Sequence, residues 1–174
     1  MGIFSKISDL LSSTQRPVAG TAVLPVSSLR EKLLALNRDT APFQLISGET
    51  EKVDLIAEWK VGKPDWRKIF ESPEMQKTFR ILLKFDQSVH EVRAVDREFA
   101  ISWSADGASL TVAAEAFRGQ KTEISFGGPA LYSETLPNGQ KMEYRFSSKE
   151  LKKPLQELVT ACGWTYKGVT FQKL

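Results

Sequence analysis

VDLIAEWKV, residues 53–61, decides how this chain folds. Val53, Leu55, Ala57, Trp59 and Val61 fall at every second position, and Asp54, Glu58 and Lys60 stand between them. A helix would need its apolar residues three and four apart, whereas a strand turns successive side chains to opposite faces. The stretch therefore reads as a strand with one face in a core and the other toward water.

The same period runs outward through TFRILLKF (78–85), EFAISW (98–103), SLTVAAEAF (109–117) and KMEYRF (141–146). Asp106-Gly107 separates the middle pair of these strands, and Asn138-Gly139 precedes the last. Such dipeptides accept the positive φ angles of tight hairpin turns. Residues 98–117 are expected to form one hairpin and 130–146 another. Phe99, Ile101, Trp103, Leu110, Val112, Met142, Tyr144 and Phe146 are expected to point inward. A one-residue slip would turn each set outward. WTYKGVTF (164–171) reads as a last strand.

Helical spacing appears in two capped segments. SSLREKLLALN (27–37) places Leu29, Leu33 and Leu36 on one face, and Ser28 with Glu31 has the spacing of a capping box. SSKELKKPLQELVTACG (147–163) repeats that signal with Ser147 and Glu150 and ends at Gly163, a natural C-cap. Its apolar face carries Leu151, Leu155, Leu158, Val159 and Cys162. Pro154 removes one backbone donor and is expected to bend the helix or to mark where its regular part begins. KPDWRKIFESPEM (63–75) fits neither period and suits a helical turn or structured loop.

The expected fold is α+β: a strongly twisted, mostly antiparallel sheet of about eight or nine strands, or a partial barrel, covered by two short amphipathic helices. An N-terminal amphipathic helix is expected over residues 1–13, a linker or extended covering segment over 14–26, and one α+β domain over 27–174. In the first segment Ile3, Phe4, Ile7, Leu10 and Leu11 fill one arc at helical spacing. Either that arc packs on the chain's own core, or it reaches a membrane surface or a partner. Its weakly basic polar face tilts the balance slightly toward self-packing. MGIFSKISDLL (1–11) resembles the amphipathic start of phage-shock-type membrane-stress proteins. The resemblance stops there, since the remainder lacks their long coiled coils, and it implies no residue role.

Composition narrows the function. The chain has 174 residues, 41% hydrophobic and 26% charged, with a net charge of +3. Residues 141–174 hold seven cations against three anions, a net +4, which leaves the first 140 residues at −1. Lys149, Lys152 and Lys153 are expected to form a basic surface there. No run of about 18 apolar residues could span a membrane. One cysteine allows no internal disulfide, and the N-terminus lacks the apolar core of a signal peptide, so a cytoplasmic location is expected, with peripheral membrane contact as an extension.

Few residues carry obvious chemistry. His90 is the single histidine and Cys162 the single cysteine, which cannot build the usual zinc site, so no metal and no cofactor are expected. No nucleophile elbow accompanies His90. Cys162 falls at a helix C-terminus, where the dipole disfavours a thiolate, and reads as an inert buried thiol. Glu91, Asp96 and Glu98 cluster with Arg93 and Arg97, which points to charge pairing on exposed strand faces. Gly119, Gly127 and Gly128 match no phosphate-binding loop. Lys63, Trp66, Arg67 and Lys68 could stack a base and pair with phosphates, but one loop with so little net charge argues against nucleic acid. The expected function is a non-enzymatic binding or adaptor module for an unknown protein partner or a membrane surface, with weak peripheral contact through the N-terminal helix. The alternative is a small-molecule-binding protein or a carboxylate-dependent enzyme, using Glu91 or Asp96, with its site inside the curled sheet.

Overall fold

The computed structural model of the chain describes residues 13–70, 77–104, 110–119, 132–170 and 174. Among them are helices α1 (Val26–Leu34), α2 (Arg67–Phe70) and α3 (Ser148–Ala161). The strands are β1 (Phe43–Ser47), β2 (Leu55–Trp59), β3 (Lys77–Asp86), β4 (Glu91–Trp103), β5 (Leu110–Gly119), β6 (Tyr132–Thr135), β7 (Lys141–Tyr144) and β8 (Thr165–Gly168). The fold is α+β, built on a curled antiparallel sheet in the order β1-β2-β3-β4-β5. β8 lies parallel to β4, against the edge of Glu91–Ala94, and β5 takes over that same edge from Asp96 onward. The expected count of strands is met, but they do not form one sheet: β6 and β7 pair as a separate two-stranded ribbon.

Register sorts the two faces of the main sheet. Ile81 stands opposite Asp96, Leu83 opposite Ala94 and Phe85 opposite Val92, while Arg80, Leu82 and Lys84 face the other way with Arg97, Val95 and Arg93. The first face carries the core: Leu45, Leu55, Ala57, Trp59, Ile81 and Leu83 are buried there. Leu29 and Leu33 of α1 and Leu151, Leu155 and Val159 of α3 pack into the same cluster. The alternation of residues 53–61 thus places Leu55, Ala57, Trp59 and Val61 in this core, whereas Val53, expected beside them, is buried outside it. On the opposite face Val53, Ile56 and Leu82 form a smaller cluster with Leu174.

Local capping explains α3 and corrects α1. The Ser147 side chain accepts from the Glu150 N–H, and the Glu150 carboxylate accepts from the Ser147 N–H at 2.7 Å. Each group thereby satisfies an N–H the helix leaves unpaired. The helix runs through Pro154 without interruption. It closes with Gly163 N–H donating to Thr160 O at 3.0 Å and Trp164 N–H to Val159 O at 3.1 Å. That pattern needs a left-handed residue, and Gly163 has φ +78°. The expected capping box at Ser28 does not form. The first helical bond, Leu29 N–H to Pro25 O, starts α1 earlier, so Ser28 sits inside the first turn.

Residues 13–25 fold back over β8 and the end of α3. Gln15 exchanges both backbone bonds with Tyr166 at 2.8 Å, and Leu24 N–H donates to Cys162 O. The Trp164 indole donates to Leu24 O at 2.8 Å, and Gln156 Nε2 donates to Ser13 O.

Both expected hairpin pairings occur, with the turn at 105–109 outside the described residues. Phe99, Ile101, Tyr144 and Phe146 are buried, and Trp103, Leu110 and Met142 are half-buried. Val112 departs from the expectation: it is 49% exposed although its cross-strand partner Ile101 is buried. β5 is the outermost strand, and its register against β4 shifts twice, beside Phe99 and before Ile101. Such irregularities bend a strand away from its neighbour's plane.

Gly163→Ala should lower stability by about 1–2 kcal/mol from the backbone conformation alone. The loss should be larger in practice, since a Cβ there would overlap the Ala22 carbonyl. Urea denaturation would measure it, and an unchanged midpoint would contradict the packing of residues 13–25 against α3.

Candidate functional site: a groove inside the curled sheet

The curl has a lining. Gln44 and Ile46 of β1, Glu58 of β2, Arg80 of β3 and Val112 of β5 all border one groove of about 400 Å³. β1 and β5 are the outer strands of the path, so the sheet bends until its edges face each other across this space. Ile46, at 36%, and Val112 are large apolar side chains left open to water on its walls. Between them the wall is polar and ordered. Gln44 Nε2 donates to Glu58 Oε1 at 3.0 Å, and Arg80 Nε lies 2.8 Å from Glu58 Oε2.

The groove continues at its mouth into a wider cleft of about 650 Å³, with Gln44, Lys60 and Lys63 common to both. Trp66 and Tyr132 meet edge to face there, with centroids 5.0 Å apart, and Lys60 Nζ stands 5.0 Å over the Trp66 ring. A smaller cleft beside Trp103 joins at Val61–Lys63. All of these spaces meet at Lys63, in the KPDWRK stretch. Lys60 Nζ donates to Arg38 O at 2.8 Å. Burial pulls its ammonium below the ordinary lysine pKa, although Asp39 and Glu134 act in the opposite sense.

One buried carboxylate holds the wide cleft in shape. Glu134 of β6 is 1% exposed and accepts from Arg38 Nε at 2.8 Å, Arg38 Nη2 at 3.1 Å, Thr40 Oγ1 at 3.0 Å and Tyr144 Oη at 2.7 Å. Tyr132 Oη then donates to Thr40 O at 2.7 Å. Burial alone would raise the Glu134 pKa, but the hydrogen bonds from Arg38, Tyr144 and Thr40 outweigh it and hold the carboxyl below its ordinary value. Burial and the Glu134 hydrogen bond push the Tyr144 phenol well up. Burial likewise raises Tyr132. This carboxylate ties the β6–β7 ribbon to the loop after α1, and so fixes Tyr132 against Trp66.

The residues singled out in the sequence are scattered rather than gathered. Ile3, Phe4, Ile7, Leu10 and Leu11 lie outside the described residues. Lys149 and Lys153 are exposed, but Lys152 is buried at 6% and pairs with Asp96, so it does not belong to a basic surface. Asp96 and Glu98 are not on exposed strand faces. Both are buried, because their parity on β4 turns them toward the core side, and Glu98 pairs with Lys77 at 3.0 Å. Glu91 is half-buried beside Arg93 and Lys167. His90 sits exposed in the β3–β4 turn with its ring against Trp164. Cys162 is buried, and burial pushes its thiol pKa up. Among the described residues no three His, Cys, Asp or Glu side chains converge as a metal site would require.

The alternative reading of the sequence puts a site inside the curled sheet, but it names for it neither Gln44, Ile46, Glu58 and Arg80 of the groove wall nor Glu134. A signal for Glu134 exists: it shares its strand face with Tyr132 and pairs with Met142 in register. A carboxylate in the inward phase of a strand needs partners from elsewhere in the chain. Compared with known proteins, the chain matches no family model, no curated protein and no solved structure.

Because the folded pKa of Glu134 is depressed, its contribution is complete above the unfolded value near about 4.3 and is lost as pH falls through the lower folded value. Glu134→Gln should therefore cost about 1–3 kcal/mol at neutral pH, toward the lower end because Arg38 still reaches water. Urea melts should show the gap between the two proteins narrowing as pH falls. A gap independent of pH would contradict the role of the ionised carboxylate.

Proposed function

We propose that this chain is a non-enzymatic binding or adaptor module, and that the groove receives an extended segment of a protein partner. The observation that carries the reading is the row of adjoining open spaces bordered by Lys63, with Ile46 and Val112 on the wall of the groove. A channel of that form suits a chain laid along it, with side chains reaching alternately into the apolar wall and toward the Trp66–Tyr132 corner. A compact substrate would be better held in an enclosed cavity with convergent polar groups.

The disposition of the acids supports the non-enzymatic side of the reading. Glu58 is engaged by Arg80 and Gln44, Asp96 by Lys152, Glu98 by Lys77 and Glu134 by three donors plus Arg38's second nitrogen. Carboxylates engaged this way are occupied by cations and donors, which suits scaffolding more than proton transfer. Among the described residues no helix is long and apolar enough to cross a membrane.

Selection of displayed random peptides on the intact chain tests the proposal. Enriched peptides are expected to bind the Ile46→Ser/Val112→Ser double variant about tenfold or more weakly, since each side chain would contribute on the order of 1 kcal/mol of apolar contact. Both side chains are exposed, so the variant should keep its melting temperature. Failure to enrich peptides, or enrichment insensitive to the double change, would overturn the reading.

A further inference from the structure

Two lysines stand where the groove and the wide cleft adjoin. The chain leaving β2 turns at once: Lys63 N–H donates to Lys60 O at 3.1 Å, and Trp66 N–H donates to Lys63 O at 3.0 Å. Val61, inside the turn, is buried in the core, while Lys60 and Lys63 at its two ends border both spaces. Lys63 also borders the cleft beside Trp103.

The charges at this corner are unequally committed. On the groove wall Arg80 and Glu58 engage each other at 2.8 Å, and Gln44 donates to the same carboxylate. Lys60 Nζ donates to Arg38 O and stands over the Trp66 ring. Asp39 and Glu134 favour the Lys60 charge, whereas Lys63 and Arg38 oppose it. Lys63 is exposed, and among the described residues no side chain forms an ion pair or hydrogen bond with it. Asp39 and Asp65 border the wide cleft but not the groove.

We propose that Lys63, with Lys60 beside it, receives a carboxylate, and that the segment lying in the groove carries an aspartate or glutamate side chain at that point. The inference rests on the groove reading for its occupant. An ionised carboxylate has two acceptor oxygens, enough to meet both ammonium groups and to offset their mutual repulsion. Both lysines border the groove and the wide cleft alike, so a segment occupying the two spaces runs past them and does not end there. The acid therefore belongs to a side chain and not to a chain terminus. On one side of it lies the wall of Ile46 and Val112, and on the other the corner of Trp66 and Tyr132. Farther into the wide cleft Asp39 and Asp65 would repel a second acid, which fixes the register of the segment.

Selection of displayed random peptides on the intact chain, on Lys63→Gln and on Lys63→Glu tests it, with titration of the synthesised peptides. Those enriched on the intact chain should share one acidic position. They should bind Lys63→Gln about fivefold more weakly, a modest factor because water still reaches the pair, and the difference should shrink as salt is raised. Lys63→Glu should lose the acidic position and enrich lysine or arginine in its place. Lys63 is exposed, so both variants should keep the melting temperature of the intact chain. Peptides that depend on Ile46 and Val112 but share no acidic position, or the same preference on Lys63→Glu, would overturn this inference and leave the groove reading standing. Loss of affinity on amidating the peptide C-terminus would assign the carboxylate to a chain end and overturn the side-chain source. No enrichment on any of the three proteins would overturn both readings.

Discussion

The register of β4 is the constraint on which the molecule depends. This strand of 13 residues pairs with β3 along one edge and with β8 and then β5 along the other. Its parity sends Asp96 to the core face, where Lys152 of α3 reaches it, and sends Arg97 to the groove face. A slip of one residue would exchange them, placing a guanidinium in the core and stranding the Lys152 ammonium. A buried ion pair is a poor source of net stability, but an unmatched buried charge is strongly unfavourable. The pair therefore acts against wrong registers more than it favours the right one. It also fixes α3 over β4, because a lysine this deeply buried must keep its charge beside a partner.

From that register the groove follows. β4 carries Phe99 between Arg80 and Arg97, and its irregular pairing with β5 leaves Val112 on the far wall opposite β1. At the mouth a second buried charge performs a parallel task. Glu134 binds the small ribbon to Arg38 and Thr40, and the ribbon in turn holds Tyr132 against Trp66. Asp96 and Glu134 each join elements far apart in the chain, the first through Lys152 of a helix and the second through Arg38 of a loop. The sheet supplies the walls, and these ion pairs hold the walls where they are.

What the sequence shows of this is local. Alternation in 55–61 and 78–85, the Asn138-Gly139 turn, the Ser147–Glu150 box and the Gly163 cap all depend on near neighbours, and each appears in the structure as expected. Ser28 failed as a cap because Pro25 starts α1 sooner, a matter of a few residues that spacing alone leaves ambiguous. The larger misses are nonlocal. Lys152 looked like one of three surface lysines, and only the docking of α3 on β4 reveals its partner. Asp96 and Glu98 looked solvated because Arg93 and Arg97 are close in sequence, although strand parity separates them in space.

A double-mutant cycle on Asp96 and Lys152 tests the central claim most directly. Asp96→Asn and Lys152→Met would be compared singly and together by urea denaturation at neutral pH. Each single change should cost about 3–5 kcal/mol, since it strands the other charge in the core. The double variant should be less destabilised than the sum of the singles by at least about 1 kcal/mol. Additive losses, agreeing within about 0.5 kcal/mol, would show that the two side chains do not share one buried site, and the account of the β4 register would fail with them.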